Sequence, residues 1–273
     1  MIPTRAEAVA ASVAVAAQCG LPSDHPVVVA EGYSVRVRLE PAPVLTRVVT
    51  VGRVLRGDPR PWMEREIRVA RYLASVAAPV VPPWHEAGPF QAHGLDVSLW
   101  TWLESSPDPC PEVVFGRLLK DLHDALMHYD ADLPVLVGPL TDVASALAAS
   151  DDAVLHEAAA WLVPLALTWP RRPLHGDAHT GNVLNTAAGP MWLDFEDVCA
   201  GPVEWDLAST TITEAIVDAY PGDVDAARLE ECRRLRDLQI LAAVLTDDVE
   251  DAGLYGEIAS RLQVATTQHF SVP

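Results

Sequence analysis

Positive charge is scarce in this sequence. The 273 residues include one lysine, Lys120, and the formal net charge is −19 because 38 acidic residues stand against 19 lysines and arginines together. Affinity for nucleic acid depends on basic side chains that contact phosphates, so we expect no nucleic-acid partner. The negative charge would attract a cationic ligand, and a solvated acidic surface is the alternative explanation of the charge.

Cysteines and long apolar runs are also few. The four cysteines, none spaced as C-x-x-C, are Cys19, Cys110, Cys199 and Cys232. Without that spacing they indicate neither a zinc site nor a disulfide framework, and they predict a cytoplasmic protein. No apolar run is long enough to cross a bilayer, and residues 6–19, rich in alanine and valine, lack the basic start of a secretory signal. We therefore expect no membrane partner.

The most informative stretch is a polar loop with two further polar positions at fixed distances. The loop begins at His175-Gly176-Asp177, Asn182 follows the aspartate by five residues, and Asp194-Phe195-Glu196 begins twelve residues later. Apolar runs on either side of a turn at residues 187–190 predict a β-hairpin, which we expect to bring Asn182 and Asp194 together. Two oxygen ligands beside a free carboxylate suit Mg²⁺-dependent phosphoryl transfer.

This pattern resembles the catalytic loop and metal motif of the aminoglycoside phosphotransferase / choline kinase-like family, which comprises small-molecule kinases related to the protein kinases. The resemblance extends from about Val27 to Ala219. It implies ATP and Mg²⁺ as cofactors and a hydroxylated small molecule as the acceptor, in the class of an aminoglycoside or another cationic antibiotic or metabolite. The acidic segment at residues 246–251 would bind ammonium groups, and a solvated acidic turn is its alternative role.

The resemblance also implies a fold of class α+β, with the two lobes of the protein kinases, and the predicted elements agree with it. In the first part of the chain we predict helices from Thr4 to Cys19 and from Pro61 to before Pro79, and strands at Val27–Ala30, Val35–Leu39, Val44–Val51, Trp84–Ala87 and Leu95–Trp102. In the later part we predict helices at Glu112–His128, Leu140–Ala149, Asp151–Leu167, Glu204–Ala219, Ala226–Asp248 and Leu254–His269. The N-terminal lobe, residues 1–103, would carry an antiparallel sheet, one main helix and the nucleotide. The mostly helical C-terminal lobe, residues 104–273, would carry the catalytic loop, the metal and the acceptor.

The resemblance assigns roles to three residues of the loop and hairpin. Asp177 is implied as the catalytic base, which accepts or orients the proton of the acceptor hydroxyl. Asn182 and Asp194 are implied as ligands of Mg²⁺. Asp177 and Asn182 also fit ordinary turn residues that hydrogen-bond their own loop, which is the structural alternative for both.

Four further residues are candidates for supporting roles. We expect His175 to hydrogen-bond backbone near Asp194, and the resemblance implies that Asp206 ties the backbone of the catalytic loop together. The alternative for Asp206 is a carboxylate that merely favours the dipole of its own helix. His179 borders either the loop or the acceptor. Glu196 either reaches the metal through water or ends its strand in solvent.

The expected nucleotide site departs from the family pattern at Arg47. Related kinases place a lysine there, on the third strand, to hold the α- and β-phosphates. Arginine binds phosphate through a bulkier fork that never loses its charge. Its partner should be a helix glutamate, and Glu66 is the better candidate than Glu64 because it begins the apolar face. An exposed arginine with exposed glutamates is the alternative.

The loop over the phosphates and the adenine site match the pattern only in part. The loop at residues 31–34, between the first two strands, contains one glycine, Gly32. We expect the hydroxyl of Ser34 and nearby backbone N–H groups to contact phosphate. The adenine should bind backbone groups around Trp100 and Trp102, whose side chains also fit a half-buried strand.

Two other functions use the same residues. A nucleotide-binding pseudokinase is favoured by Arg47 and by the poor glycine loop, and opposed by the complete set of Asp177, Asn182 and Asp194. A two-metal phosphoesterase is suggested by Gly176-Asp177-Ala178-His179, which matches the pattern G-D-x-H. Such a site needs further histidine and aspartate ligands downstream, and the sequence does not offer them in the required pattern.

Overall fold

The computed structural model describes residues 2–51, 56–246 and 252–271. It has the predicted α+β fold, with an antiparallel sheet in the N-terminal part and helices in the C-terminal part. The main helices are α1 (Arg5–Gln18), α2 (Arg60–Ser75), α3 (Glu112–Leu126), α4 (Val137–Ala149), α5 (Ala153–Ala166), α6 (Val203–Asp206), α7 (Glu214–Ala219), α8 (Ala226–Thr246) and α9 (Ala252–Ser271). The strands are β1 (His25–Ala30), β2 (Ser34–Glu40), β3 (Val44–Val49), β4 (Phe90–Ala92), β5 (Leu95–Thr101), β6 (Arg172–Leu174), β7 (Val183–Thr186), β8 (Gly189–Trp192) and β9 (Cys199–Gly201).

The chain divides into two compact units. Unit 1 comprises Met1–Cys110 and Gly181–Glu196, and unit 2 comprises Pro111–Thr180 and Asp197–Pro273. The predicted lobes, residues 1–103 and 104–273, follow the change from strands to helices along the sequence, and their bounds and binding roles remain a prediction. Among the residues that the structure describes, no helix is both long and apolar enough to cross a membrane.

Unit 1 is built on a five-stranded antiparallel sheet with the strand order β1-β2-β3-β5-β4. Side chains alternate between the two faces of a strand, and β2 shows the consequence. Val35, Val37 and Leu39 are buried in the core that α1 shares with the sheet. Arg36 and Arg38 lie on the opposite face of the strand and are half-buried. The alternation therefore places two basic side chains on the face turned away from α1.

The fourth strand differs from the prediction. We expected a strand at Trp84–Ala87, whereas β4 is formed by Phe90–Ala92 and pairs with β5. His93 and Gly94 make the two-residue turn between them, with φ of 50° and 74°. Backbones with positive φ at both turn positions match the twist of a tight hairpin, so this turn selects the pairing. The prolines that flank residues 84–87 lack N–H donors, which weakens a ladder there.

The hairpin after the catalytic loop is present as predicted. β7 and β8 pair antiparallel, with Val183 opposite Trp192. The backbone N–H of Leu193 donates to the carbonyl of Asn182 at 3.0 Å, so the chain closes on itself just before Asp194. The hairpin belongs to unit 1 because the N–H of Trp192 donates to the Pro79 carbonyl at 2.9 Å and its own carbonyl accepts from Val81 at 2.8 Å.

Helix α8 lies at the centre of unit 2, where α4, α5, α6 and α9 contact it. Its buried side consists of leucines together with Cys232, Ala242 and one charged residue, Arg236. The predicted end of this helix at Asp248 and the acidic residues 247–251 lie outside the described residues, and α8 is described to Thr246.

The predicted helix at Glu204–Ala219 is two short helices, α6 and α7. Ser209 and Thr211 separate them, and their hydroxyl groups approach each other at 3.4 Å. Side chains with hydroxyl groups compete for backbone hydrogen bonds and weaken a continuing helix. The second helix starts anew at Thr213, whose hydroxyl accepts from the N–H of Ile216 at 3.3 Å and caps it.

Candidate active site

Arg47 is the centre of an ionic cluster in unit 1. Its Nη1 donates to both carboxylate oxygens of Glu66, at 2.8 and 2.7 Å, and its Nε donates to the hydroxyl of Ser34 at 3.1 Å. Its Nη2 donates to Glu196 and lies 3.3 Å from Oδ1 of Asp194. The side chain is almost fully enclosed, with 5% of Arg47 exposed. The structure therefore places the predicted partner Glu66 against Arg47, and adds two carboxylates from the segment after the hairpin.

The cluster changes the proton affinities of its members. Burial disfavours the charged form of Arg47, but Asp194, Glu66 and Glu196 outweigh it and raise the arginine pKa. Burial also raises the pKa of Glu66, and the attraction of Arg47 opposes that shift. Arg47 is thus a permanent cation that is held by several carboxylates at once.

Asp194 has an uncommon backbone and an uncommon side-chain environment. Its φ is +66°, in the left-handed region that residues other than glycine rarely adopt, and such strain is concentrated at functional sites. Its Oδ2 accepts from Nη2 of Arg36 at 2.8 Å. Its Oδ1 is buried and, within the described residues, accepts no hydrogen bond. An under-satisfied buried carboxylate oxygen is what a metal ligand would leave when no ion is bound.

A metal site here would be small. Among the described residues, no group of three or more histidine, cysteine, aspartate or glutamate side chains is arranged to hold an ion. Asn182 is buried at the start of the hairpin, and its backbone carbonyl accepts from Leu193, the residue before Asp194. Its side-chain amide would add a neutral oxygen to the carboxylate of Asp194. Mg²⁺ usually takes one or two protein carboxylates and completes its shell with water and phosphate oxygens. The donor set therefore fits a metal that arrives with a nucleotide.

The other predicted nucleotide-binding groups of unit 1 have partners of their own. Gly32 lies in the loop before β2, and an added Cβ there would meet nothing within 4 Å. The indole N–H of Trp100 donates to Ser98 at 2.9 Å, and that of Trp102 donates to Glu104 at 2.8 Å. The guanidinium of Arg38 lies 4.6 Å from the centre of the Trp102 ring. These side chains are therefore engaged with neighbours in the sheet.

The backbone of this strand is also engaged. The N–H of Leu99 donates to Ala87, that of Thr101 donates to Pro82, and that of Trp102 donates to the carbonyl of Pro43. These three N–H groups are therefore already donated within unit 1, and a base that binds near Trp100 and Trp102 would use other backbone groups of this segment.

The catalytic loop of unit 2 is fastened by Asp206. Its Oδ2 accepts from the backbone N–H of His175 at 2.9 Å, and its Oδ1 accepts from the N–H of Gly176 at 2.8 Å. The ring Nε2 of His123 lies 2.9 Å from Oδ2, and its Nδ1 lies 2.9 Å from the hydroxyl of Tyr220. Asp206 is fully buried. Burial alone raises its pKa, but the hydrogen bonds and charges around it lower the pKa overall, so the carboxylate is an anion at neutral pH.

Gly176 is required by the shape of this loop. Its φ is +89°, and a Cβ on it would collide with the backbone carbonyl of Asp197. Its own carbonyl accepts from the indole N–H of Trp205 at 2.7 Å. The loop is thus held on both sides of the residue that precedes Asp177.

Asp177 is the most exposed of these acids, with 37% of its side chain accessible. Its backbone N–H donates to Nδ1 of His175 at 3.3 Å, and its carboxylate lies 3.6 Å from Nε2 of His179. Nη1 of Arg236 donates to its Oδ1 at 3.3 Å. Burial raises its pKa, but His179 and Arg236 outweigh burial and bring the pKa to about 2. Asp177 is therefore an anionic hydrogen-bond acceptor at neutral pH.

Sequence reasoning missed two arginines at these sites. Arg36 alternates with buried valines on β2 and stands opposite Arg47 in the strand register. Arg236 occurs on the buried side of α8, in line with Leu229 and Cys232 at helical spacing. Arg236 interrupts an apolar helix face with a charge, and Arg36 carries a charge beside the buried valines of its strand, and these charges were the available signal.

Comparisons with known proteins were made for the whole chain. The model of the phosphotransferase enzyme family matches residues 27–239. No curated protein matches the sequence. The solved structures that are similar include choline kinase LicA from Streptococcus pneumoniae, with 11% identity, a TM-score of 0.69, and coverage of 94% of this chain and 99% of that chain.

Two further similar structures are kinases of antibiotics by their names. A thermostable mutant of aminoglycoside phosphotransferase APH(4)-Ia has 16% identity and a TM-score of 0.64, with 94% of this chain and 99% of that chain covered. Amicoumacin kinase hAmiN, in complex with AMP-PNP, Ca²⁺ and Ami, has 13% identity and a TM-score of 0.64, with 93% of each chain covered. At these identities the likeness concerns the fold.

Proposed function

The chain belongs to the phosphotransferase enzyme family, and we propose that it transfers the γ-phosphoryl group of ATP, with Mg²⁺, to a hydroxyl group of a small molecule. One observation supports this proposal more strongly than any other observation. The Asp177 carboxylate is held as an anion, partly exposed, on a loop whose backbone Asp206 and Trp205 fasten. Orientation of an acceptor hydroxyl needs such an acceptor group on a rigid support.

Asp177 would orient the hydroxyl and receive its proton. The hydroxyl oxygen bonds to the γ-phosphorus while the bond from that phosphorus to the β–γ bridging oxygen breaks, and ADP leaves. The proton of the hydroxyl passes to Asp177. A carboxylate with a pKa of about 2 is a weak base, which suits a reaction in which little negative charge develops on the attacking oxygen before the transition state.

Asn182 and Asp194 would hold Mg²⁺. The ion would neutralise phosphate charge when bound. The proposal is supported by the buried Oδ1 of Asp194, which accepts no hydrogen bond within the described residues, and by the left-handed backbone that presents it. Arg36, which now donates to Oδ2 at 2.8 Å, would share Asp194 with the metal or release it.

Arg47 would take the place of the usual phosphate-binding lysine. Its ionic contacts with Glu66 fix its position on β3, and a permanent positive charge suits the α- and β-phosphates. Ser34 accepts from Arg47 and keeps its own O–H available to donate to a phosphate oxygen. The adenine would bind backbone groups around Trp100 and Trp102.

The acceptor would be a hydroxylated, cationic small molecule in a cytoplasmic setting where ATP is available. Among the similar structures, some are described in complex with hygromycin B or kanamycin, and others are named choline kinases. All of these ligands carry hydroxyl and cationic nitrogen groups. The net charge of −19 would favour their approach.

A second candidate function is nucleotide binding without transfer. It is favoured by the enclosure of Arg47, whose guanidinium is already occupied by Glu66, Asp194 and Glu196. In a pseudokinase those contacts would persist when ATP binds, whereas in a kinase Arg47 must exchange part of them for phosphate.

A transfer assay separates the two functions. The protein would be incubated with ATP, Mg²⁺ and a panel of aminoglycosides, amino alcohols and sugars, and phosphorylated products would be detected by mass. The same panel would be run on Asp177→Asn and Asp194→Ala, with Asp218→Asn on an exposed side of α7 as the matched control. We expect transfer by the wild type and the control and its loss in the other two variants. ATP binding without transfer to any acceptor would favour the pseudokinase.

A further inference from the structure

Arg236 is the buried cation that faces Asp177. It lies on α8, 8% exposed, and its Nη1 donates to Oδ1 of Asp177 at 3.3 Å and to the side chain of Gln239 at 2.9 Å. Gln239 in turn donates to Asp142 on α4 at 2.7 Å. The guanidinium carbon lies 4.0 Å from the centre of the Trp205 ring.

Burial of the Arg236 guanidinium is unfavourable for the free energy of folding unless its donors and its charge are paired. Its Nε and Nη2 are buried and, among the residues that the structure describes, have no hydrogen-bond partner. The one carboxylate recorded within 4 Å of it in the described part of the chain is that of Asp177. A buried charge with unsatisfied donors is unfavourable for folding, and replacement by apolar residues is often neutral or stabilising. A charge kept under these conditions calls for a role other than stability.

The support of Arg236 is shared with the catalytic loop. The same Trp205 ring that the guanidinium covers donates its N–H to the carbonyl of Gly176, next to Asp177 in the chain. Stacking on a fixed aromatic ring limits the guanidinium to one plane. The position of Arg236 relative to the Asp177 backbone is therefore set by a single rigid residue.

We propose that Arg236 is a positioning residue, which holds the Asp177 carboxylate in one orientation so that it accepts a hydrogen bond from the acceptor hydroxyl. The proposal rests on the phosphotransferase function proposed above. Arg236 acts through Asp177 and needs no contact with either substrate. Loss of its charge removes from Asp177 one of the cationic or hydrogen-bonding groups that offset its burial.

The groups that face Asp177 are His175 and His179 on the loop and Arg236 on α8. Burial raises the pKa of Asp177, and His179 and Arg236 lower it, so removal of Arg236 must raise it. An opposite charge at this distance lowers an aspartate pKa by about one to three units, and the partial exposure of Asp177 favours the lower end. The acidic limb of kcat against pH should then move upward by about one unit.

The test compares Arg236→Met, which removes the charge, and Arg236→Lys, which keeps it. Arg233→Met is the matched control, because Arg233 lies on the same helix, is partly exposed and pairs with Glu214. For Arg236→Met we expect a fall in kcat of about 10- to 100-fold, little change in KM for ATP, and an acidic limb shifted upward. We expect Arg236→Lys to restore the acidic limb, though not the full kcat.

A direct titration of Asp177 tests the role of Arg236 independently of the phosphotransfer reaction. The carboxyl carbon signal of Asp177, identified by its loss in Asp177→Asn, is followed against pH by NMR in the wild type and in both Arg236 variants. A midpoint raised in Arg236→Met and restored in Arg236→Lys supports the proposal even if no acceptor is phosphorylated, so failure of the kinase function is recognised separately. An unchanged midpoint in a folded Arg236→Met protein overturns it. A rise in KM for the acceptor at unchanged kcat also overturns it, because Arg236 would then bind substrate.

Discussion

Replacement of Asp206 by asparagine tests whether the catalytic loop is held as the structure indicates. Asparagine has the same shape, but an amide NH₂ replaces one carboxylate oxygen. The N–H groups of His175 and Gly176 and the ring of His123 compete for the oxygen that remains. At least one buried donor loses its acceptor, and each surviving hydrogen bond loses the assistance of the charge.

The size of the effect follows from the burial of Asp206. An unsatisfied buried donor costs about 1–3 kcal/mol, and a hydrogen bond to a charged group contributes about 1.5–3 kcal/mol, so we expect a loss of about 2–4 kcal/mol in the free energy of unfolding. No solvent screening reduces this value, because Asp206 is 0% exposed. The lowered pKa of Asp206 supports the sign, since the folded protein favours the anion despite the cost of burial. For a chain of this size the melting temperature should fall by about 5–15 °C.

The dependence on pH provides a second check. A carboxylate whose pKa is lowered by folding contributes stability above its ordinary pKa of 3.8, and that stability is lost as the pH falls through the lower folded value. The difference in the free energy of unfolding between the wild type and Asp206→Asn should therefore be constant near neutral pH. It should become smaller only below about pH 4.

The assay is thermal unfolding followed by circular dichroism at several pH values, with Asp218→Asn as the control for loss of an exposed carboxylate in the same unit. The same samples report kcat, which should fall in Asp206→Asn because Asp177 is displaced with its loop. A melting temperature within about 2 °C of the control, with kcat intact, would refute the reasoning that Asp206 fastens the loop.

Two further predictions concern Gly176 and Arg47. Gly176→Ala should lower the melting temperature and abolish transfer. Its φ of +89° strains any L side chain by about 1–2 kcal/mol, and the added Cβ would collide with Asp197. Gly256→Ala is the control for the melting temperature, because a Cβ there meets nothing within 4 Å. Equal melting temperatures for the two variants would contradict this. Arg47→Lys should raise KM for ATP about tenfold, since lysine cannot bind Glu66 and phosphate through a fork. An unchanged KM would remove Arg47 from the nucleotide site.

The sequence alone indicated those features that depend on neighbours in the chain. The hairpin could be predicted because its apolar runs, its turn and the polar residues at its ends lie within thirteen residues, and Val183 does pair with Trp192. The resemblance supplied the longer pairings: Arg47 with Glu66 and Asp206 with the loop backbone. Those two predictions depend on the order of motifs along the chain and on the resemblance, and local propensity does not give them.

The local sequence pattern did not predict the secondary structure correctly at two places. The choice between a strand at residues 84–87 and one at Phe90–Ala92 is decided by pairing with β5 through the turn at His93 and Gly94. The break between α6 and α7 depends on hydroxyl groups that also tolerate a helix. In both places a local feature, a two-residue turn or a pair of hydroxyl side chains, decides the outcome, and the periodicity of apolar residues does not reveal it.

The identity of the loop, the hairpin and the aspartates at their ends was determined by the sequence itself, because spacing and residue type specify which oxygen atoms the chain can present. Only the tertiary structure decided which cations face those oxygens. Arg36 comes from β2, 158 residues before Asp194, and Arg236 comes from α8, 59 residues after Asp177. A charge acts over distance in space and not along the chain, so no periodicity or motif in the sequence could pair them.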